Sequence, residues 1–246
     1  MERLYGRHAV LECLRAGRRK ITRLLVAEGA HHSATLNDIL DLTNDLHVRM
    51  ETSPRRVLEA FSDHTHGVVL EVSDYPYTPL GDILTLATSR GERPFLLILD
   101  TLQDPQNFGN LIRTADAVGV HGIIIPVRRS VAVTPAVSNA SSGAVEHMLV
   151  ARVVNLARTV DELKKADIWI AALQSDPRAS SIYQSDLRGA LALMIGNEGE
   201  GISRLLREKA DLLISLPMRG HVESLNASVA GSVALYEVQR QRTSGV

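Results

Sequence analysis

Five continuous apolar runs of five or six residues each follow one another from residue 95 onward, with helical patterns between them. They cover residues 95–100, 122–126, 168–173, 191–196 and 212–216. An apolar run without polar alternation is typical of a strand that is buried on both faces, as in a parallel sheet. Alternation of such strands with helices predicts a doubly wound α/β fold.

The first 73 residues carry a second, smaller α/β pattern. β-like runs lie at 21–27, 47–51 and 67–72, and helical patterns lie around 9–16, 36–45 and 54–62. The following stretch, SDYPYTP at 73–79, contains two prolines that interrupt both periodicities. We therefore predict a small domain over 1–73, a linker and entry helix over 74–93, and a larger domain over 94–246.

Composition excludes several classes of protein. Hydrophobic residues make up 45% of the 246 residues, which is enough for a sizeable core. No apolar run approaches the roughly 20 residues that cross a bilayer, and the N-terminal segment lacks a secretory apolar region, so we expect a soluble cytoplasmic protein. The single cysteine, Cys13, allows no internal disulfide and no Cys/His zinc pattern, and we predict no metal site.

The net charge of −1 gives no overall nucleic-acid signature, but the charges are unevenly distributed. Residues 1–23 contain seven basic and two acidic side chains, a local balance of +5. Arg15, Arg18 and Arg19 are therefore candidate RNA-binding residues. The alternative interpretation is a solvated basic helix surface.

Three polar segments directly follow apolar runs, at the strand ends where open parallel sheets bind ligands. The first contains Asn107, a candidate N-cap for a helix over 107–118, and Arg113 on that helix. Arg113 also fits the simpler role of a surface ion-pair partner. The predicted helix over 107–118 could therefore contribute Arg113 either to catalysis or to a surface ion pair.

The second segment, at 195–203, places three glycines within six residues directly after a strand. Its spacing fits neither the dinucleotide fingerprint nor the P-loop, so it predicts a ligand-binding loop of another kind or a tight turn. The third segment, at 216–234, leads into a helix rich in small residues that can approach a neighbour closely within the chain or across a subunit interface. Ser224 and Asn226 could simply cap that helix.

Together the three segments resemble the SpoU (TrmH-type) branch of the SPOUT RNA methyltransferase superfamily. The motifs are NFGNLIRTADAVGV, IGNEGEGIS and LPMRGHVESLNASVAGSVALYE, in this order. The opening MERLYGRHAVLECLRAG is similar to the start of the L30e-like RNA-binding domain of bacterial 23S rRNA guanosine 2′-O-methyltransferases. This resemblance implies an L30e-like N-terminal domain and a SPOUT catalytic domain with a C-terminal trefoil knot.

The resemblance also implies a cofactor and a set of site residues. The cofactor is S-adenosylmethionine, with Gly196, Leu216 and Leu225 at the cofactor-contacting positions. The polar active-site positions correspond to Asn107, Arg113, Glu198, Ser224 and Asn226. A homodimer is expected through the small-residue face of the last helix, formed by Ala227, Ala230, Gly231 and Ala234.

The implied reaction is methyl transfer to a ribose 2′-hydroxyl in structured RNA, with a guanosine in 23S rRNA as the expected target. A guanidinium is not expected to lose its proton, so Arg113 is expected to bind the RNA and stabilise the developing alkoxide, oriented by Glu198. Asn107, Ser224 and Asn226 are expected to position the reacting groups. The alternatives are a tRNA ribose methyltransferase, a non-catalytic RNA-binding protein on the same fold, and a nucleotide-dependent α/β enzyme, which the missing glycine fingerprints disfavour.

Overall fold

A computed structural model describes residues 1–197, 199–221 and 224–243. The described residues form eleven strands and nine α-helices. In chain order these are β1 (Glu2–Tyr5), α1 (Arg7–Ala16), β2 (Ile21–Ala27), α2 (Ala34–Asp45), β3 (Arg49–Ser53), α3 (Arg55–Glu59), β4 (Val68–Val72), α4 (Leu80–Ser89), β5 (Phe95–Leu99), α5 (Pro105–Ala117), β6 (Gly122–Pro126), α6 (Pro135–Ala140), β7 (Val150–Val153), α7 (Leu156–Lys165), β8 (Trp169–Leu173), β9 (Ser180–Ser181), β10 (Leu191–Ile195), α8 (Arg204–Lys209), β11 (Leu212–Ser215) and α9 (Ala227–Thr243).

The chain divides into two compact units, and the first comprises Met1–Pro76 together with Val133–His147. Its four-stranded sheet has the order β1-β4-β2-β3, in which only β2 and β3 pair in parallel. Side chains from the strands and from α1 and α2 form its core, including Leu4, Val10, Leu24, Ile39 and Leu70.

The segment Val133–His147 joins the first unit although its sequence position lies within the predicted 94–246 domain. Asn139 Nδ2 donates a hydrogen bond to the Tyr5 carbonyl at 3.2 Å. The Glu146 carboxylate accepts hydrogen bonds from Arg19 Nε at 2.7 Å and Arg19 Nη2 at 2.9 Å. These long-range polar contacts bind the segment to residues near the start of the chain.

The second unit comprises Tyr77–Ala132 and Met148–Val246 and contains a seven-stranded sheet of order β7-β6-β5-β10-β8-β11-β9. Every strand pairing in this sheet is parallel. Its core includes Ile98, Ile124, Ile170, Met194 and Leu206, all nearly inaccessible to solvent. The predicted α/β fold is confirmed, and the five apolar runs form β5, β6, β8, β10 and β11.

The strand order determines where the polar segments meet. β10 lies between β5 and β8, and β11 pairs with the other side of β8. Because all of these strands are parallel, the loops that follow them emerge at one edge of the sheet. Of the described helices, none is both long and apolar enough to cross a membrane.

The last helix packs within its own unit. Ala227, Gly231 and Ala234 are buried, and a Cβ at Gly231 would overlap the side chains of Ile195 and Leu111. Gly231 thus allows α9 to approach α5 and β10 inside the chain, and the burial of all three residues within this unit argues against their contact with a second subunit. Ala230 is partly buried at the cavity described below.

Candidate active site

The loop after β10 folds back closely on itself. A side chain at Gly196 would overlap the backbone of Gly201 and Ile202, so only glycine fits there. Asn197 stabilises the loop because its Oδ1 accepts hydrogen bonds from the backbone N–H groups of Gly199 at 3.0 Å and Glu200 at 2.7 Å. The glycine-rich segment is thus a rigid wall built from backbone. Glu198, one of the predicted active-site residues, lies outside the described residues.

Two polar contacts attach this loop to the end of β5. Asn197 Nδ2 donates to Thr101 Oγ1 at 3.1 Å, and Asp100, which is buried, accepts from the backbone N–H of Ser203 at 2.8 Å. Neither Asp100 nor Asn197 is among the residues predicted from the sequence motifs. A carboxylate or amide directly after a buried strand was the available signal for both.

A cavity of about 280 Å³ opens at the carboxyl ends of β8, β10 and β11 and at the start of α9. Four of the predicted residues lie together in its wall: Gly196, Leu216, Ser224 and Leu225. The other described residues of the wall are Leu173, Gln174, Ser175, Ile195, Asn197, Gly199, Glu200, Gly201, Met218, Ala227 and Ala230. Apolar side chains and strand-end backbone groups together suit a small organic ligand with one apolar and one polar part.

The helix α5 begins at Pro105, four residues after Thr101, and is capped by Asp104. The Asp104 carboxylate accepts hydrogen bonds from the N–H groups of Gln106 at 3.1 Å and Asn107 at 3.3 Å. The prediction that Asn107 is the N-cap is wrong, because Asp104 followed by proline supplies a better start for a helix. Asn107 instead lies in the first turn, buried.

Asn107 contacts the start of α9. Ser228 Oγ lies 3.0 Å from Asn107 Oδ1 and 2.7 Å from Asn226 Oδ1. Asn226 Oδ1 also accepts from the backbone N–H groups of Ser228 at 2.9 Å and Val229 at 3.3 Å, so Asn226 caps α9. Ser228, which is not one of the predicted site residues, therefore links two residues that are.

Arg113 is exposed on α5, about 9 Å further along the helix axis than Asn107 at 1.5 Å per residue. It is not among the described residues that line the cavity. The structure thus brings predicted residues together in two groups. One group lies in the cavity wall, and the other is the Asn107–Asn226 pair at the starts of α5 and α9. Arg113 lies on the helix that this pair anchors.

The three arginines predicted to bind RNA have different environments in the first unit. Arg15 is exposed and pairs with Glu12 at 2.9 Å. Arg18 donates hydrogen bonds to the backbone carbonyls of Glu146 at 3.1 Å and Pro76 at 3.3 Å.

Arg19 has a fully buried side chain paired with Glu146 at 2.7 Å and Glu2 at 2.6 Å. Burial disfavours its charged form, but these two carboxylates hold the pKa of Arg19 above its ordinary value. A buried guanidinium already bound by carboxylates is not available to a phosphate. These contacts argue against the RNA-binding roles predicted for Arg18 and Arg19 and assign both to packing.

The other reactive groups of the described chain are few. Burial raises the pKa of the Cys13 thiol to about 12, so this thiol is neutral at physiological pH. Among the described residues, no three His, Cys, Asp or Glu side chains are grouped so that they could hold a metal ion.

The protein has a small α/β unit and a second unit whose parallel sheet carries a ligand cavity at its carboxyl edge. These features define the class as a two-unit α/β protein that binds a small molecule. Residues 94–236 match the SpoU rRNA methylase family, and residues 3–78 match the RNA 2′-O ribose methyltransferase substrate binding family. The chain belongs to the SpoU family of RNA methyltransferases, which confirms the resemblance inferred from the three motifs.

Two relatives are similar over nearly their whole length. The chain is 44% identical over 238 residues to YacO of Bacillus subtilis (strain 168), a protein assigned to the TrmH family of tRNA/rRNA methyltransferases, covering 96% of this chain and 94% of that one. It is 42% identical over 240 residues to a protein of Staphylococcus aureus (strain MSSA476) with the same assignment, covering 97% and 96%.

Two solved structures extend the comparison. The SpoU methyltransferase AviRb from Streptomyces viridochromogenes, crystallised with AdoMet, has a TM-score of 0.81 at 26% identity, covering 99% of this chain and 91% of that chain. The TrmH/SpoU tRNA modifying enzyme of A. aeolicus has a TM-score of 0.58 at 28% identity, covering 63% and 78%.

Proposed function

We propose that this protein transfers a methyl group from S-adenosylmethionine to the 2′-hydroxyl of a ribose in structured RNA, with a guanosine of 23S rRNA as the target. The observation that carries the proposal is the cavity that brings Gly196, Leu216, Ser224 and Leu225 together at the carboxyl edge of the sheet. The binding of AdoMet by AviRb and the match of residues 3–78 to a substrate binding family support it.

The chemistry of the cavity wall suits S-adenosylmethionine. Leu216 and Leu225 provide apolar walls for a flat base, and the backbone of the Gly196 loop provides hydrogen-bonding groups that no side chain obstructs. When bound, the cofactor supplies an electrophilic methyl group. The chain's own residues hold it there and exclude water from it.

Residues of α5 and of the start of α9 position and stabilise the ribose hydroxyl that accepts the methyl group. The Asn107–Ser228–Asn226 contacts fix these two helices against each other and so fix the position of Arg113 relative to the cavity. The Arg113 guanidinium, which stays protonated, stabilises negative charge that develops on the ribose oxygen. Glu198 orients Arg113, and water or an RNA phosphate oxygen takes the proton.

Family membership also supports proposals about the domains, the chain topology and the oligomeric state. We propose the range 1–73 as the RNA-docking domain, 94–246 as the catalytic domain, and a trefoil knot in its C-terminal part. We further propose a homodimer, but through the exposed apolar face of α9 rather than through its small residues. That face consists of Val229, Val233 and Tyr236, which are 49%, 38% and 57% exposed.

The test is methyl transfer from radiolabelled S-adenosylmethionine to unmodified 23S rRNA and to unmodified tRNA. Ribose methylation protects the adjacent phosphodiester from alkaline cleavage, so alkaline digestion identifies the modified nucleotide. A protected guanosine in 23S rRNA is expected. Label on a base would contradict the ribose target, label in tRNA alone would favour the tRNA alternative, and RNA binding without transfer would favour the non-catalytic alternative.

A further inference from the structure

A short turn after β6 presents two adjacent arginines, Arg128 and Arg129, at the carboxyl edge of the parallel sheet. Both side chains are exposed. Arg129 has a φ of 60°, in the left-handed region that favours glycine. An arginine at this position strains the backbone, which indicates that the side chain itself is useful there.

The turn is held on both sides by hydrogen bonds within the second unit. On one side the Val127 N–H donates to the Val153 carbonyl at 2.9 Å, and Arg152 Nη2 donates to the Val127 carbonyl at 3.2 Å. On the other side the Val131 N–H donates to the Leu102 carbonyl at 2.8 Å. The two arginines are thus displayed from a fixed backbone.

Leu102 connects this turn to the candidate active site. It lies in the loop between β5 and α5, which also contains the Asp104 cap and leads directly to Asn107 and Arg113. The turn after β6 and the loop before α5 are therefore hydrogen-bonded neighbours at the same edge of the sheet. Arg128 and Arg129 therefore lie at the same edge of the sheet as the loop that begins α5.

The charges of Arg128 and Arg129 are uncompensated. Across the described ranges of the chain, neither side chain makes a hydrogen bond or an ion pair. The arginines near the N-terminus behave differently, since Arg3, Arg19 and Arg23 all pair with glutamates. The second unit thus carries two adjacent arginines without a carboxylate partner among the described residues.

We propose that Arg128 and Arg129 bind backbone phosphates of the RNA substrate and so position its ribose beside α5. A guanidinium presents paired N–H donors that match a phosphate, and exposed phosphate contacts release counterions and make binding salt-dependent. The proposal rests on the proposed function, because it requires RNA as the substrate.

The experiment compares the double variant Arg128→Gln/Arg129→Asn with the wild type. Asparagine tolerates the left-handed region, so the fold is kept. The control is Arg90→Gln, which changes an exposed arginine of the same unit at the end of α4, before the amino end of β5. Binding of unmodified 23S rRNA transcript is measured across a salt titration, and S-adenosylmethionine affinity is measured by calorimetry.

Loss of two phosphate contacts should flatten the slope of log K against log salt by about 1.4–1.8 and so weaken RNA binding at 0.1 M salt by about 25- to 60-fold relative to its effect at 1 M salt. Arg90→Gln and the charge-conserving Arg128→Lys/Arg129→Lys should keep the wild-type slope. The cofactor affinity should be unchanged in all of these variants.

An unchanged slope in the Gln/Asn variant overturns the phosphate contact even when the wild type methylates RNA. Loss of RNA affinity without a change of slope also overturns it. Failure of the proposed function is separate and visible in the wild type alone, as absence of cofactor binding or of methyl transfer.

Discussion

Asn107 and Asn226 belong to different motifs of the sequence and are joined by one hydroxyl group, with Ser228 Oγ 3.0 Å from Asn107 Oδ1 and 2.7 Å from Asn226 Oδ1. Asn226 also caps α9, and Asn107 lies in the first turn of α5. The contact therefore joins the beginnings of two helices, one bordering the cavity and the other carrying Arg113.

Replacing Ser228 by alanine should lower turnover while the fold is kept. The change removes a buried hydrogen-bonding group and should cost about 1–2 kcal/mol in the free energy of unfolding. Denaturant unfolding and single-turnover kinetics measure the two effects. The control is Ser232→Ala, which removes another hydroxyl between α5 and α9, 2.9 Å from Thr114 Oγ1. Equal losses of turnover in both variants would show that only helix packing matters.

Gly196→Ala should abolish cofactor binding. The added Cβ would overlap the backbone of Gly201 and Ile202, so the loop that forms the cavity wall must move. Calorimetric titration with S-adenosylmethionine measures the loss. Gly189→Ala, at a position with open space around the added Cβ, should bind like the wild type. Wild-type affinity in Gly196→Ala would place the cofactor elsewhere.

Arg113→Ala should reduce turnover by roughly 10²–10⁴, the scale for loss of one electrostatic stabiliser, with nearly unchanged cofactor affinity. Arg113 is exposed and is not among the described residues of the cavity wall, so its replacement is expected to affect the fold and cofactor binding little. Arg158→Ala, at an exposed arginine of α7, is the matched control. Wild-type methylation by Arg113→Ala would remove this residue from the mechanism.

Val233→Arg should give a monomer with little activity. The substitution places a charge at the centre of the exposed apolar face of α9, where Val233 is 38% exposed. Light scattering reports the oligomeric state. Val154→Arg, at a valine that is 92% exposed after β7, should leave it unchanged. A fully active Val233→Arg monomer at assay concentration would exclude the dimer as a requirement.

Arg19→Gln and Arg15→Gln should separate packing from RNA binding. Removing Arg19 leaves the buried Glu146 carboxylate without its partner and should cost about 3–5 kcal/mol, whereas the exposed Arg15 pair should contribute about 0–1 kcal/mol. Thermal unfolding measures both. If Arg15 contacts a phosphate, Arg15→Gln should also flatten the salt dependence of RNA binding by about 0.7–0.9. A stable Arg19→Gln variant would contradict the structural role.

The sequence predicted elements whose pattern is long and local. The five apolar runs specify buried parallel strands by themselves, and strand ends at one edge follow from parallel pairing. That is why Gly196 and Leu216, taken from separate motifs, lie in one cavity wall. The strands β1, β7 and β9 escaped prediction because their sequences, ERLY, VARV and SS, contain no continuous apolar run.

The tertiary structure alone decided which partner each polar or small residue finds. Ser228 gains its role from Asn107, 121 positions away along the chain, and Arg19 is buried only because Glu146 is brought to it from 127 positions away. Gly231 of α9 likewise packs against Leu111 of α5, 120 positions away along the chain. Periodicity determines whether a residue faces inward, but the neighbour it meets there depends on long-range packing, which local sequence does not encode.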